Sequence, residues 1–254
     1  MKNFLLAVLF AASLSAAPPP EEELLRRLGN KQLTASQRSD ACFGLRGSPS
    51  GAVIAAMRAA LEDPRIRACA GAHLREVEDV DALRAALASE NPELRALGAR
   101  ELGAMRKPEL LTALAAAAAD EHLLVATNAI EGLSHYDLAA ALPALLEIAA
   151  RGGMIGSLAL DRAATSRDPR VLTIARRLMQ SPHMADRLAG IRVAGQFGSR
   201  EDLDALRKFI ADEESYFARG RGFGLLPAIS LSRAARTAIA AIESRSVRVI
   251  DSAY

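Results

Sequence analysis

The sequence predicts an all-α protein of stacked helix pairs, and three observations carry that reading. Half of the residues are apolar, only 4% are aromatic and Trp is absent; Ala runs through almost every segment, which suits closely packed helices and serves strands poorly. Apolar residues recur three and four positions apart, the period of one helix face. Helix-opening signals return about every 30 residues, as in a tandem array. With 254 residues, the chain is long enough to bury a continuous core.

The first element is not part of the array. Met1-Lys2-Asn3 precedes an apolar run from Phe4 to Ala12, with Leu14 beyond it, then Ser15-Ala16-Ala17 and three prolines. This is the layout of a secretory signal peptide, and the run is about half of the ~20 apolar residues that cross a bilayer. Residues 1–17 are therefore expected to be removed, with cleavage after Ser15, Ala16 or Ala17, the last disfavoured by Pro18. No Cys stands at this boundary to take a lipid. The mature chain is expected to be periplasmic or secreted, with no permanent membrane span.

Residues 18–34 read as an N-terminal cap or linker, with a short helix from Glu21 to Leu28. Residues 35–243 hold the repeats. Ala35 to Leu45 and Val53 to Leu61 form a less regular first pair. Asp63-Pro64-Arg65-Ile66-Arg67 then returns as Asn91-Pro92-Glu93-Leu94-Arg95. In both, an Asp or Asn side chain can accept from free backbone N–H groups, and the Pro presets φ at a position whose N–H is not needed. Asp168-Pro169 and Ser181-Pro182 repeat the device. Asp120 to Leu123 and Gly152-Gly153-Met154 occupy the intervening starts without it.

Each interval holds two amphipathic segments. Leu94, Leu97, Leu102 and Met105 make one stripe, Arg106-Lys107-Pro108 breaks it, and Leu110, Leu111 and Leu114 resume. Leu124, Ile130 and Leu133 precede a break at 134–137 and then Leu138, Leu142, Leu145, Leu146 and Ile148, with Pro143 expected to kink or delay that helix. Leu188, Ile191, Ala194 and Phe197 lead to Gly198-Ser199 and on to Leu203, Leu206, Phe209 and Ile210. Residues 244–254, where Val247 and Val249 alternate with polar residues, read as a tail that docks as a strand or frays.

The pattern of Asp or Asn, Pro, any residue, an apolar residue and Arg, followed by an Ala-rich helix closing in Leu102-Gly103, resembles the HEAT-like repeats of phycobilin lyases over about residues 35–243. The resemblance implies an α-solenoid, a right-handed superhelix of about six antiparallel helix pairs whose second helices line a concave face. It leaves function open, because such repeats serve lyases, hydroxylases, DNA-repair glycosylases and plain scaffolds. Tetratricopeptide arrays have a period of about 34 and a Trp and Tyr pattern, which this Trp-free chain lacks.

The chemistry-bearing residues are sparse. The formal charge is +2 from 32 basic and 30 acidic residues, mixed along the chain, so no nucleic-acid footprint is present. His73, His122, His135 and His183 lack metal-ligand spacing and read as solvated helix ends; no metal and no cofactor are expected. Neither a nucleophile elbow nor a phosphate-binding glycine loop occurs. Cys42 and Cys69 either form a disulfide or pack as two buried thiols. Arginines outnumber lysines 28 to 4, and Arg67, Arg84, Arg95 and Arg187 fall at helix starts or faces, where they pair internally or hold a carboxylate-bearing partner.

One segment leaves the rhythm: Ser215 to Leu225 interleaves three glycines with Arg219, Arg221, Phe217 and Phe223. Arginine and aromatics concentrate at binding hot spots, so these four, with Arg84, are the candidate contact residues. The expected function is a non-catalytic scaffold of the cell envelope that binds a protein partner, acting as a monomer. The alternative is a chromophore or small-molecule lyase of the phycobilin type.

Overall fold

A computed structural model describes residues 19–211, 215–216 and 229–251, with the backbone alone for 215, 216, 229 and 246–251. Apart from one two-residue antiparallel bridge, Ser215 to Ser230 and Tyr216 to Ile229, the regular structure is helical. The fold is the expected all-α solenoid type. The chain divides into two compact units between Val77 and Glu78.

The first unit holds α1 (Glu21–Gly29), α2 (Ala35–Leu45), α3 (Gly51–Ala60) and α4 (Arg67–Glu76). Thr34 opens α2 with a capping box, its hydroxyl accepting from Gln37 N–H and the Gln37 side chain accepting from Thr34 N–H. Leu28, Cys42, Leu45, Val53, Met57 and Leu74 are buried between the helices. Cys42 and Cys69 are bridged, with Cα atoms 6.3 Å apart, which ties α2 to α4. Arg38, 5% exposed, donates to the carbonyl of Leu28 at 2.8 Å and pairs with Asp63.

The second unit holds α5 (Val80–Leu87), α6 (Pro92–Met105), α7 (Leu111–Ala117), α8 (Leu123–Ser134), α9 (Leu138–Arg151), α10 (Gly153–Ala164), α11 (Pro169–Leu178), α12 (Met184–Phe197), α13 (Leu203–Arg207) and α14 (Leu231–Asp251). Even-numbered helices lie side by side from α6 to α14, and α7, α9 and α11 form a second row. The more extensive packing runs across the period boundary, α5 on α6, α7 on α8, α9 on α10 and α11 on α12. The segments paired in the sequence reading, such as α6 with α7, touch less.

A common register explains this. Counting from the residue that opens each even helix from α2 to α12 (Thr34, Asp63, Asn91, His122, Gly152, His183), the seventh residue on is Ala41, Ala70, Gly98, Ala129, Ala159 and Gly190, every one small and buried. A Cβ on Gly98 would stand 2.5 Å from the Leu87 nitrogen, and one on Gly190 2.5 Å from the Ala175 oxygen. The even helix therefore crosses the preceding odd helix almost backbone to backbone. At Gly103, twelve residues from its cap, a Cβ would lie 2.3 Å from the Cα of Gly132, which brings α6 equally close to α8.

The fourth residue from the cap is a second fixed point. Arg67 donates to the carbonyl of Leu61 at 2.7 Å, Arg95 to those of Ser89 and Glu90 at 3.1 and 2.9 Å, and Arg187 to those of Ser181 and Pro182 at 3.2 and 2.9 Å. In each case a guanidinium reaches back five or six residues to satisfy carbonyls of the turn, groups that would otherwise need water.

This register corrects the sequence reading at several points. Pro92 and Pro169 are first helical residues, but Pro182 stands one residue before the cap His183, and α12 opens at Met184. Ser181 matches Ser89, whose hydroxyl accepts from Asn91 N–H as that of Ser181 accepts from His183 N–H. The device common to these starts is the side-chain turn, and the proline rides beside it. After Pro64 the first turn is irregular and α4 formally begins at Arg67, although the Asp63 carbonyl already accepts from Arg67 N–H at 2.8 Å. Leu124 is 49% exposed; Val125 and Ala126 take its place in the core. Helix α9 runs through Pro143. Helix α14 continues to Asp251, so residues 244–251 form no separate strand: an established helix extends at low cost, adding a hydrogen bond per residue fixed.

Asn91 accepts from Glu93 N–H at 2.9 Å. Asn91→Ala is expected to cost about 0.5–2 kcal/mol and Pro92→Ala to be nearly neutral, as read by urea unfolding of the two variants.

Candidate functional site

Of the residues singled out in the sequence, Arg84 is exposed on α5 and makes no side-chain hydrogen bond or ion pair among the described residues. Phe217, Arg219, Arg221 and Phe223 lie outside the described residues. His73, expected to be solvated, is instead fully buried in α4, where its Nδ1 accepts from Gly47 N–H at 3.3 Å and holds the turn after α2. Among the described residues no three of His, Cys, Asp and Glu gather as metal ligands, and no helix is long and apolar enough to cross a membrane.

The strongest electrostatic features are anchors. Arg95 grips Asp120 through two bonds of 2.8 and 3.0 Å, and Arg176 grips Asp202 at 2.7 and 3.1 Å. The Arg95 guanidinium holds the Asp120 carboxyl below the usual range, helped by His122 N–H. Burial pushes Asp202 upward, but Arg176 and the N–H of Ser199 together outweigh it and the carboxyl is also lowered. Asp63 is lowered by the N–H of Arg65 and by Arg38. Carboxylates held ionised in this way tie one period to the next and are poor proton donors near neutrality.

A different arrangement occurs between α12 and α14. Helix α14 buries Leu231, Ala235, Ala238, Ile239 and Ile242 against Ile191, Ala194 and Leu206, at helical spacing. Gly195 permits the approach, since a Cβ there would stand 2.8 Å from the Ala238 Cβ. Arg245 closes the end of α12 by donating to the carbonyls of Gly195 and Gly198 at 2.8 and 3.1 Å, where a cation also suits the helix dipole. The two helices leave a groove of about 860 Å³. Leu188, Phe197, Ala234, Ala238 and Ala241 supply its apolar surface, and Arg192, Arg233 and Arg245 its charge.

The charge balance sets this groove apart. Two grooves in the first unit, of about 620 and 630 Å³, mix signs: Lys31, Arg38 and Arg65 with Glu62 and Asp63 in one, Arg26 and Arg27 with Glu23 and Asp40 in the other. Among the described residues, the α12–α14 groove has three arginines and no acidic lining residue. Among the same residues, Arg192 has a carboxylate, Asp161 of α10 at 2.6 Å, and the other two have none. The row of even helices carries a run of such pairs, Glu131 with Arg162 and Asp161 with Arg192. That run stops at α12, and α14 answers with cations. Arg233, Thr237, Ala241 and Arg245 recur every four residues, a signal present in the sequence but split between the end of the repeats at 243 and the tail read from 244.

Residues 80–153 match the HEAT-repeat family. No curated protein matches the chain. Among solved structures, the chain is similar to one in the Kap95p complex with RanGDP, at 13% identity and a TM-score of 0.55, covering 78% of this chain. It spans only 34% of that chain. It is also similar to the phycocyanin lyase complex of CpcE and CpcF from Nostoc, at 15% identity and a TM-score of 0.41 over 93% of this chain and 100% of that one. For human deoxyhypusine hydroxylase the values are 15% and 0.38 over 88% and 96%. The architecture is that of a HEAT-like repeat protein.

Folded values below those of an unfolded Asp, about 3.9, place the anchors' contribution above pH 4 and remove it as pH falls through the lower folded values. Urea unfolding at pH 7, 4 and 3 is expected to show stability dropping below pH 4. Asp120→Asn should be less stable at pH 7 and lose less on acidification.

Proposed function

We propose that the chain is a non-catalytic scaffold of the cell envelope that binds a protein partner on its second unit. The observation that carries this reading is the α12–α14 groove, an apolar trough between two well-packed helices in which Arg233 and Arg245 make no ion pair among the described residues. Repeat stacks present extended surfaces of this kind, in which binding residues sit on rigid helices. Apolar area supplies affinity and the charged rim supplies selectivity and steering.

Export is part of the same proposal. The basic, apolar and small-residue order of residues 1–17 supports it, and so does the pairing of Cys42 with Cys69, since disulfides persist where the compartment is oxidising.

A photoreactive residue placed at Thr237, exposed in the groove, tests the reading in intact cells. The expected outcome is a discrete protein adduct recovered from the envelope fraction, absent when the group is placed at exposed Thr112 of α7. Recovery of a small-molecule adduct that the protein converts, with no protein adduct from any face, would overturn it in favour of lyase-type chemistry.

A further inference from the structure

We propose that the α12–α14 groove takes an amphipathic, acidic α-helix of the partner, its apolar stripe on the alanine floor and its carboxylates against Arg192, Arg233 and Arg245. This rests on the scaffold reading and goes further by assigning the partner's chemistry.

Three features select that occupant. The first is charge: Arg233 is exposed with no carboxylate among the described residues, and Arg245 spends its bonds on two backbone carbonyls. An anionic ligand therefore gains two cations that no internal acid already neutralises, while a basic ligand meets only repulsion. The second is spacing. Arg233 and Arg245 both line the groove and stand twelve residues apart along α14, about 18 Å at 1.5 Å per residue. A helix lying along the groove presents a residue on the same edge at each turn, so acids three turns apart reach both.

The third is the backbone. Apart from Ser230, whose two-residue strand pairs with Ser215–Tyr216, the walls are α-helices with backbone groups bonded along the helix, so an extended peptide would find no long strand edge to pair with. A helix brings its own hydrogen bonds and needs only a floor it can approach closely. Ala234, Ala238 and Ala241, with Gly195 beneath, provide one, and small residues at a helix contact allow a short interaxial distance.

The test uses the purified full chain and labelled peptides of about 18 residues, long enough for some five turns: an Ala and Leu stripe flanked by Glu, and the same peptide with Gln or Lys in place of Glu. By fluorescence anisotropy the Glu peptide should bind, the Gln peptide about tenfold more weakly, and the Lys peptide not detectably. Arg233→Glu should weaken the Glu peptide by about tenfold or more. Arg236→Glu, an equal charge change at an exposed α14 position that does not line the groove, should leave it within about twofold. Equal binding of Glu and Lys peptides, no binding of any, or equal effects of the two reversals would overturn the inference. So would recruitment to phosphatidylglycerol vesicles that depends on Arg233 while the Glu peptide fails to bind. If the peptides fail while Thr237 still captures a protein in cells, the partner's chemistry is wrong and the scaffold reading stands.

Discussion

The structure depends on how closely one helix can approach the next. At the seventh residue after each even-helix cap from α2 to α12 the side chain is Ala or Gly, and where it is Gly98 or Gly190 the neighbouring backbone lies where a Cβ would have to be. Contact at this distance replaces large interdigitating side chains with dispersion between backbones. It also limits the side-chain entropy lost on folding, because Ala and Gly have no rotamers to freeze. A chain with 4% aromatics and no Trp can therefore hold a buried interior within each unit. Leu45, Leu74, Leu102 and Leu133, four residues further along their helices, are each 0–2% exposed and fill the space beside the crossings.

Close approach leaves little room for water at the turns, and the arginine four residues from the cap answers that need. Arg67, Arg95 and Arg187 bond the carbonyls behind them. At the start of α10, which lacks this Arg, a donor of the turn is satisfied instead: Asp186 of α12, 4% exposed, accepts from Gly153 N–H at 2.6 Å and from the Ser181 hydroxyl at 2.7 Å. A buried carboxylate is tolerable only with such partners. Much of the arginine is thus structural, whereas Arg233 and Arg245, without an ion pair among the described residues, share one groove.

The helices were legible in the sequence because each carries its own stripe and its own opening signal. Ala35 to Leu45 is α2 residue for residue, and Glu21 to Leu28 is α1 short of one residue. Partner choice was not legible. The Asp-Pro and Asn-Pro signals mark where a helix begins and say nothing of which neighbour it crosses, so the pairs read as α6 with α7 pack mainly as α5 with α6. Pro182 misled for a related reason: proline is permitted both just before and just after a cap, whereas the serine turn and the reaching arginine fix the register. The groove was missed because half of it is a helix, α14, whose end looked like a strand. Alternation at Val247 and Val249 is too short a signal to compete with a helix already formed.

If small residues at the seventh position set the helix spacing, enlarging one should be felt far more than enlarging an exposed alanine nearby. The direct measurement compares the urea-unfolding free energies of Ala129→Leu, buried at 0% exposure on α8, and Ala116→Leu, exposed on α7. The account predicts a loss of about 1–3 kcal/mol or more for the first and a change within about 0.5 kcal/mol for the second. Two equal, small effects would mean that the helices have room to spare at this register, and the close crossing would not be what organises the fold.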